Sequence, residues 1–261
     1  MYRKGIDVSK WQGTIDWEKV KASGIEFAML RAGYGQGNPD PSFEDNAAAC
    51  TRLGIPFGIY WFSYAYTPEM AAKEAAFCID AASKYSLSYP MAFDFEYDSV
   101  DYASEKGVTV TKALASSIVR AFCGAVRDGG YYPMVYANPN YLSAYFDSKI
   151  PEEFDIWLAK WPRDPEPENE PPQAGGMWQY SSAGSVSGIS GRVDLNAAYK
   201  DYPALIRAQE GGGSGPLSYE EEAARARSWV MREGISDGAR PNDFVTRQEL
   251  WVMLYRLEGY K

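Results

Sequence analysis

The 261-residue sequence contains no histidine. That absence removes Ser-His-Asp and Cys-His nucleophile systems and the common His-ligated zinc hydrolase sites. Acid–base chemistry near neutral pH then falls to carboxylates, tyrosine, lysine or cysteine. Cysteine is scarce too: Cys50, Cys78 and Cys123, an odd number, each beside alanines in a helix-like segment. Their spacing fits neither a disulfide framework nor a zinc site, and predicts free, buried thiols in a reducing compartment. No run of eighteen apolar residues occurs, so no membrane span is expected. The opening MYRKGIDVSKWQG has basic residues but no apolar run after them; it does not read as a secretory signal, and synthesis in the cytoplasm is expected. Positive charge is in deficit, 26 Lys and Arg against 35 Asp and Glu, net −9. Nucleic-acid binding, which needs a basic footprint, gains no support. Nothing in the pattern requires a cofactor or a metal.

Aromatics are plentiful, with 8 Trp and 20 Tyr, many beside polar residues in strand-like runs such as YWFSYAY, IWLAKWP and MWQYSS. Core packing accounts for some; aromatic faces also line sugar-binding grooves.

Strand and helix signals alternate along the first 160 residues. Strands are expected at Lys4–Ser9, Glu26–Ala32, Pro56–Ser63, Met91–Tyr97, Tyr132–Ala137 and Asp155–Lys160. Helices are expected over DWEKVKASG, Pro41–Leu53, Thr67–Lys84 and Thr109–Asp128, with Gly24, Gly54 and Gly129–Gly130 as stops. This alternation predicts a parallel α/β sheet with right-handed crossovers, favouring a barrel. After a Pro- and Glu-rich loop from Pro162 to Pro172 come two further strands, Met177–Tyr180 and Arg192–Leu195. The glycine-rich gap between them is too short for a crossover helix. The expected fold is therefore a TIM-like β/α barrel that begins regularly and finishes with plain strands. EGGGSGP, residues 210–216, reads as a flexible linker. It separates a barrel at 1–209 from a small helical segment at 217–261. That segment holds an amphipathic helix at Tyr219–Glu233 and a last helix at Arg247–Leu257 begun by a Thr246/Glu249 capping box. From Leu217 onward there are eight acids and seven bases, leaving −8 of the net charge on the rest.

The run MAFDFEYD places Asp94, Glu96 and Asp98 at every second position of an apparent strand, hence on one face. Like carboxylates packed together raise one another's pKa. A protonated acid beside an ionised one is the requirement of glycoside cleavage. A carboxylate Mg²⁺ or Ca²⁺ site is the competing reading. Asp98 reads as a solvated loop residue. Asp7 in GIDVSKWQG and Asp194 in GRVDLN are each flanked by apolar residues. They belong to the first and last strands, which are neighbours in a closed barrel.

The ordered motifs GIDVSKWQG, FAMLRAGYG, GIYWFSYA, FDFE, YANPNYL, DIWLAKW and MWQYSSAGSVSGISGRVDLN resemble the glycoside hydrolase family 25 lysozymes, the Chalaropsis-type muramidases, from about Lys4 to Tyr202. The resemblance implies a barrel of five regular β/α units and three terminal strands. It implies cleavage of the β-1,4 bond between N-acetylmuramic acid and N-acetylglucosamine in bacterial peptidoglycan, as in a phage endolysin or bacterial autolysin. Glu96 matches the family's acid/base. Asp94 matches the residue that orients the muramic acetamido group, whose oxygen attacks the anomeric carbon; an inverting route through activated water is the alternative. Asp7 and Asp194 match the remaining acids, and Tyr60, Tyr64, Tyr136, Trp178 and Gln179 match substrate-binding positions. The segment GISDG-x-x-PN-x-x-x-TRQEL resembles a single S-layer-homology-like repeat, implying wall association or self-association through residues 217–261. A non-catalytic glycan-binding barrel and a metal-dependent carbohydrate hydrolase remain as alternative readings.

Overall fold

A computed structural model describes residues 2–168 and 175–212, together with 227, 230–231, 235–236 and 246–257. The chain divides into two compact units, Met1–Ala208 and Gln209–Lys261.

In the first unit the elements run β1 (Arg3–Val8), α1 (Trp17–Ala22), β2 (Phe27–Tyr34), β3 (Asn38–Pro39), α2 (Phe43–Leu53), β4 (Phe57–Phe62), α3 (Pro68–Ala82), β5 (Met91–Asp94), α4 (Tyr97–Glu105), α5 (Lys112–Asp128), β6 (Pro133–Ala137), α6 (Ile150–Glu153), β7 (Asp155–Ala159), β8 (Met177–Gly184), β9 (Val193–Ala198) and α7 (Tyr202–Gly212). A 3-10 turn at Lys10–Gln12 follows β1, and one π-helical turn at Tyr141–Tyr145 follows β6. The sheet order is β1-β9-β8-β7-β6-β5-β4-β2-β3, and β1 also pairs with β2, closing eight strands into a barrel with β3 as a side hairpin. Neighbours from β1 through β2, β4, β5, β6 and β7 to β8 are parallel; β9 is antiparallel to both β8 and β1. Thus the finishing strands are plain, as expected, but only β9 reverses direction.

Side-chain parity sorts the barrel into two cores. Ala28 and Leu30 of β2, Ile59 and Trp61 of β4, Met91 and Phe93 of β5, and Trp178 of β8 point outward under the helices. Phe27, Met29, Tyr60, Ala92, Met134, Tyr136, Trp157 and Met177 fill the interior, with Tyr89 and Tyr202 from outside the strands. Alternation along each strand requires this division. Phe27 stacks on Tyr89 at 4.3 Å near the strand N-termini. The ring leaves room only for glycine opposite: a Cβ on Gly5 would stand 2.3 Å from it.

The helices start where the caps predict. Thr67 accepts from the Met70 amide and Thr111 from the Leu114 amide. Each satisfies one of the orphan N–H groups of a helix start. Cys50, Cys78 and Cys123 are free and buried, and burial pushes all three thiols up.

Three sequence expectations change. The strand expected to Tyr97 ends at Asp94, and Tyr97–Glu105 is a helix with Glu96 as its N-cap. The Glu96 amide donates to Ser99 Oγ at 3.0 Å, a local alternative to a strand ladder. Asp98 accordingly sits exposed in the first turn of α4. The expected linker begins as helix, because α7 runs to Gly212. Each further residue added to a formed helix gains a hydrogen bond.

In the second unit, Arg227, Val230 and Met231 of the expected amphipathic helix are helical; its other residues lie outside the described set, as does the rest of the linker. The last helix, α8 (Arg247–Leu257), carries the capping box: Thr246 N donates to Glu249 Oε2 at 2.8 Å and Glu249 N to Thr246 Oγ1 at 3.2 Å.

Candidate active site

Inward parity carries polar side chains to the C-terminal rim of the parallel strands, and there they meet. Asp7 ends β1, Arg31 lies near the end of β2, Phe62 ends β4, Asp94 ends β5, Tyr136 is on β6 and Gln179 on β8. β9 runs the other way, so its early residue Asp194 reaches the same rim. It pairs directly with Asp7 in the β1–β9 register. These residues, with Tyr60, Glu96, Trp157 and Trp11, line a cleft of about 170 Å³. Loops at the C-terminal face are the usual place for barrel active sites. A second cavity of about 400 Å³ is lined by Phe95, Tyr97, Asn138, Tyr141 and Trp161. Glu96 and Tyr136 line both and stand where the two adjoin.

The acids form two pairs. Asp7 is buried and hydrogen-bonds Asp194; Asp94 is buried and hydrogen-bonds Glu96. Two carboxyls in such contact share a proton, since both cannot ionise cheaply. Burial first, then the charge of Asp194, pushes Asp7 well above the carboxylate range. Burial first, then the charge of Glu96, does the same to Asp94. Glu96 and Asp194 are also raised by burial, but each is held down by the hydrogen bond from its partner. Each pair is thus raised as a unit and holds one proton between its two carboxyls. The N-terminus of α4 adds positive potential at Glu96, which further favours its ionised form.

A neutral network fixes Asp7. Its Oδ2 accepts from Gln179 Nε2 at 2.9 Å and Asn196 Nδ2 at 2.7 Å. Trp157 Nε1 donates to Asn196 Oδ1 at 2.7 Å, while Tyr136 OH and Trp161 Nε1 both donate to Gln179 Oε1, at 2.9 and 3.1 Å. The indole and phenol donors thus orient both amides, and the amides orient the acid. Arg31 is held differently: Nε donates to Asp40 Oδ2 at 2.7 Å, with Asp40 itself fixed by the Lys10 and Ser42 amides. Arg31 Nη2 and Asp94 Oδ1 are buried without a hydrogen-bond partner. Orphan polar atoms on a cleft wall are the signature of a polar ligand's place.

Of the residues expected from sequence, Asp7, Asp94, Glu96, Asp194, Tyr60, Tyr136 and Gln179 converge on the cleft. Two do not. Trp178 is 3% exposed in the outer core, donating to the Lys160 carbonyl. Strand alternation forces this once Gln179 points inward. Tyr64 is half-buried off the cleft lining, edge-on to Tyr102 at 5.1 Å. Arg31, Trp157, Asn196 and Trp161 were not singled out. Arg31 could have been: it is the one charge in the apolar run FAMLRAGY, the same signal that marked Asp7.

Comparison with known proteins gives the family. The autolytic lysozyme of Clostridium acetobutylicum is 29% identical over 195 residues, 74% of this chain and 55% of the relative. Lysozyme M1 of Streptomyces globisporus is 28% identical over 202 residues, 74% of this chain and 66% of its own. The structure of the modular autolysin LytC from Streptococcus pneumoniae superposes with a TM-score of 0.63 at 30% identity, over 76% of this chain and 47% of that one. A family 25 glycosyl hydrolase from Bacillus anthracis gives 0.63 at 24% identity, over 78% and 92%. This chain spans about half the length of the two autolytic relatives. The model of glycosyl hydrolases family 25 matches residues 6–189, from β1 to the turn before β9, and the chain belongs to that family.

Proposed function

We propose that the chain is a peptidoglycan hydrolase cutting the β-1,4 bond between N-acetylmuramic acid and N-acetylglucosamine. The observation that carries this is the Asp94–Glu96 pair standing where the acidic cleft adjoins the aromatic cavity. A glycosidic bond lying across Glu96 would have one sugar over the carboxyls and the other against Tyr97, Tyr141 and Trp161. Trp11, 76% exposed, and Trp161, 56% exposed, offer ring faces at the two ends. Sugars pack on such faces while hydroxyls and acetamido groups meet the polar wall.

In this reading the proton held between Asp94 and Glu96 moves to Glu96 and then to the leaving oxygen as the C1–O bond breaks. The Asp94 carboxylate so formed faces the muramic acetamido group and stabilises its attack on C1. Asp7 and Asp194, sharing a proton across the cleft, present one further negative charge to a developing oxocarbenium ion. The names of the lysozyme and autolysin relatives support the substrate class. So does LytC, solved in complex with a synthetic peptidoglycan ligand at 29% identity and a TM-score of 0.62. An endolysin or autolysin role at the bacterial wall follows. The segment at 217–261 serves there as an S-layer-homology-like wall-binding or self-association element. Light scattering with wall pull-down separates those two tail roles.

The test of the activity is digestion of purified peptidoglycan, borohydride reduction and mass spectrometry of the new ends. Reduced muramic acid is expected. Reduced glucosamine would place the cut at the other bond, and no new ends would remove the hydrolase reading.

A further inference from the structure

Glu74 lies in α3, fully buried and away from the cleft lining. Three donors converge on it, all neutral. Gln36 Nε2 and the Tyr64 amide donate to Oε1 at 3.0 and 3.2 Å, and Ser63 Oγ donates to Oε2 at 2.5 Å. No cation stands among its partners. A buried carboxylate without a cation is costly, and neutral residues could pack the same space more cheaply. Its three donors come from two separate segments at the C-terminal rim. Gln36 is the one side chain between Gly35 (φ +55°) and Gly37 (φ +91°) in the β2–β3 turn. Glycine tolerates those angles. Gly35 ties the turn to β4 by its backbone, its amide donating to the Phe62 carbonyl and its carbonyl accepting from Trp61 Nε1, both at 2.9 Å, and Gln36 is the side chain that ties it to α3. Ser63 and Tyr64 follow β4, and the Ser63 amide donates to the Asp94 carbonyl at 2.7 Å.

We propose that Glu74 is a positioning residue for the cleft: its carboxyl group fastens the β2–β3 turn to the segment leaving β4 and, through Ser63, fixes the main chain of Asp94. The claim deepens the hydrolase reading above and rests on it for its kinetic consequence. Arg31 precedes the fastened turn on β2, Phe62 precedes Ser63 on β4, and Asp94 is the carboxyl paired with Glu96. One side chain behind the barrel wall thus sets three strand ends that line the cleft. What it contributes is hydrogen-bond geometry, so glutamine, with one acceptor and one donor against a rotatable Ser63 hydroxyl, is a conservative replacement.

The test compares Glu74→Leu, Glu74→Gln and Ser63→Ala with wild type, in the full chain and at a temperature where circular dichroism shows all four folded. On soluble peptidoglycan fragments, Glu74→Leu is expected to lower kcat by about tenfold or more with KM within about twofold, since small displacements of catalytic groups are expensive. Glu74→Gln restores most of the rate, and Ser63→Ala lowers kcat by several-fold. Native hydrogen exchange gives a second reading that needs no activity. The amides of Ser63 and Tyr64 exchange about tenfold faster in Glu74→Leu and Ser63→Ala, and near the wild-type rate in Glu74→Gln. If Glu74→Leu does not fold, Ser63→Ala decides on both readouts. Wild-type kcat in the folded variants, with unchanged exchange, overturns the proposal while leaving the hydrolase reading intact. Wild type that releases no reducing ends sinks the hydrolase reading instead, and exchange alone then decides whether Glu74 holds these segments.

Discussion

Acidification from pH 7 to pH 5 should stabilise the barrel, and Glu74 allows the size of its share to be worked out. Burial pushes its pKa from 4.5 up to about 7, against the pull of its three donors. A raised carboxyl binds its proton more tightly when folded than when unfolded. Its ionised form therefore costs stability at high pH, and that cost is relieved as pH falls from about 7 towards 4.5. Writing the two binding polynomials at pH 7 and pH 5 gives a gain of about 2 kcal/mol from this one group. For a unit of roughly 200 residues that corresponds to about 4–8 °C in Tm. The window is clean for a chemical reason: without histidine, no imidazole titrates in it. Carboxylates held low, such as Asp147 and Glu153 under the Arg120 fork, lose their stabilisation only below the window. Near-UV circular dichroism melts of wild type and Glu74→Gln at both pH values supply the assay. The Tm gain on acidification should be smaller in Glu74→Gln by the stated amount. What remains reports Asp7, Asp94, Glu96 and Asp194, all raised and all acting in the same direction. Equal gains in the two proteins would refute the reasoning about Glu74; a wild-type loss on acidification would refute it for the cleft as well.

Glu96→Gln should keep the fold by circular dichroism and lower the release of reducing ends by about 10²–10⁴-fold. More than about a tenth of the wild-type rate would remove Glu96 from the acid role. Asp40→Ala strands the Arg31 guanidinium, whose pair is 11% and 0% exposed on its two sides, and should cost about 3–5 kcal/mol in denaturant unfolding. A cost under about 1 kcal/mol would show that the cleft solvates Arg31 unaided. The two tryptophans should behave oppositely. Trp178→Ala is expected to cost about 3–5 kcal/mol of stability. Trp161→Ala should leave the melt nearly unmoved and raise KM on glycan fragments. The reverse pattern would show that alternation along β8 has been misjudged.

The barrel was legible because its local signals agree: caps, glycine stops and apolar strands alternate with the right lengths. Asp7 and Asp194 could be matched across the chain because closure makes the first and last strands neighbours, and their register pairs them directly. Asp94 and Glu96 reached the cleft as expected, though by a different route. The period-2 acids of FDFEYD imitate a strand past Asp94, whereas the chain turns at Glu96 because Ser99 captures its amide. A single hydroxyl decides that, and no hydrophobic period reveals it. Trp178 and Gln179 were both assigned to the groove although adjacent strand residues face opposite ways; parity alone excludes one of them. Asn196 and Trp157 were missed because each acts through a partner distant in sequence, and a hydrogen bond across the barrel leaves no local trace. Arg31, paired with Asp40 only nine residues on, did leave one, as the single charge in its apolar strand.

The bonds that orient Asp7 span 172 and 189 residues of chain. On a ribosome adding about 5–20 residues per second, β1 waits roughly 10–40 s for β9 to emerge. Until then Asp7 lacks Asn196 and Asp194, and one edge of β1 has no strand beside it. The acid cluster is therefore completed only with the last strand of the barrel. Contacts of this range make for slow folding, and they expose a strand edge in the meantime. In return, a nascent or prematurely ended chain holds no assembled cleft, so whatever chemistry the cleft performs is withheld until translation has passed β9.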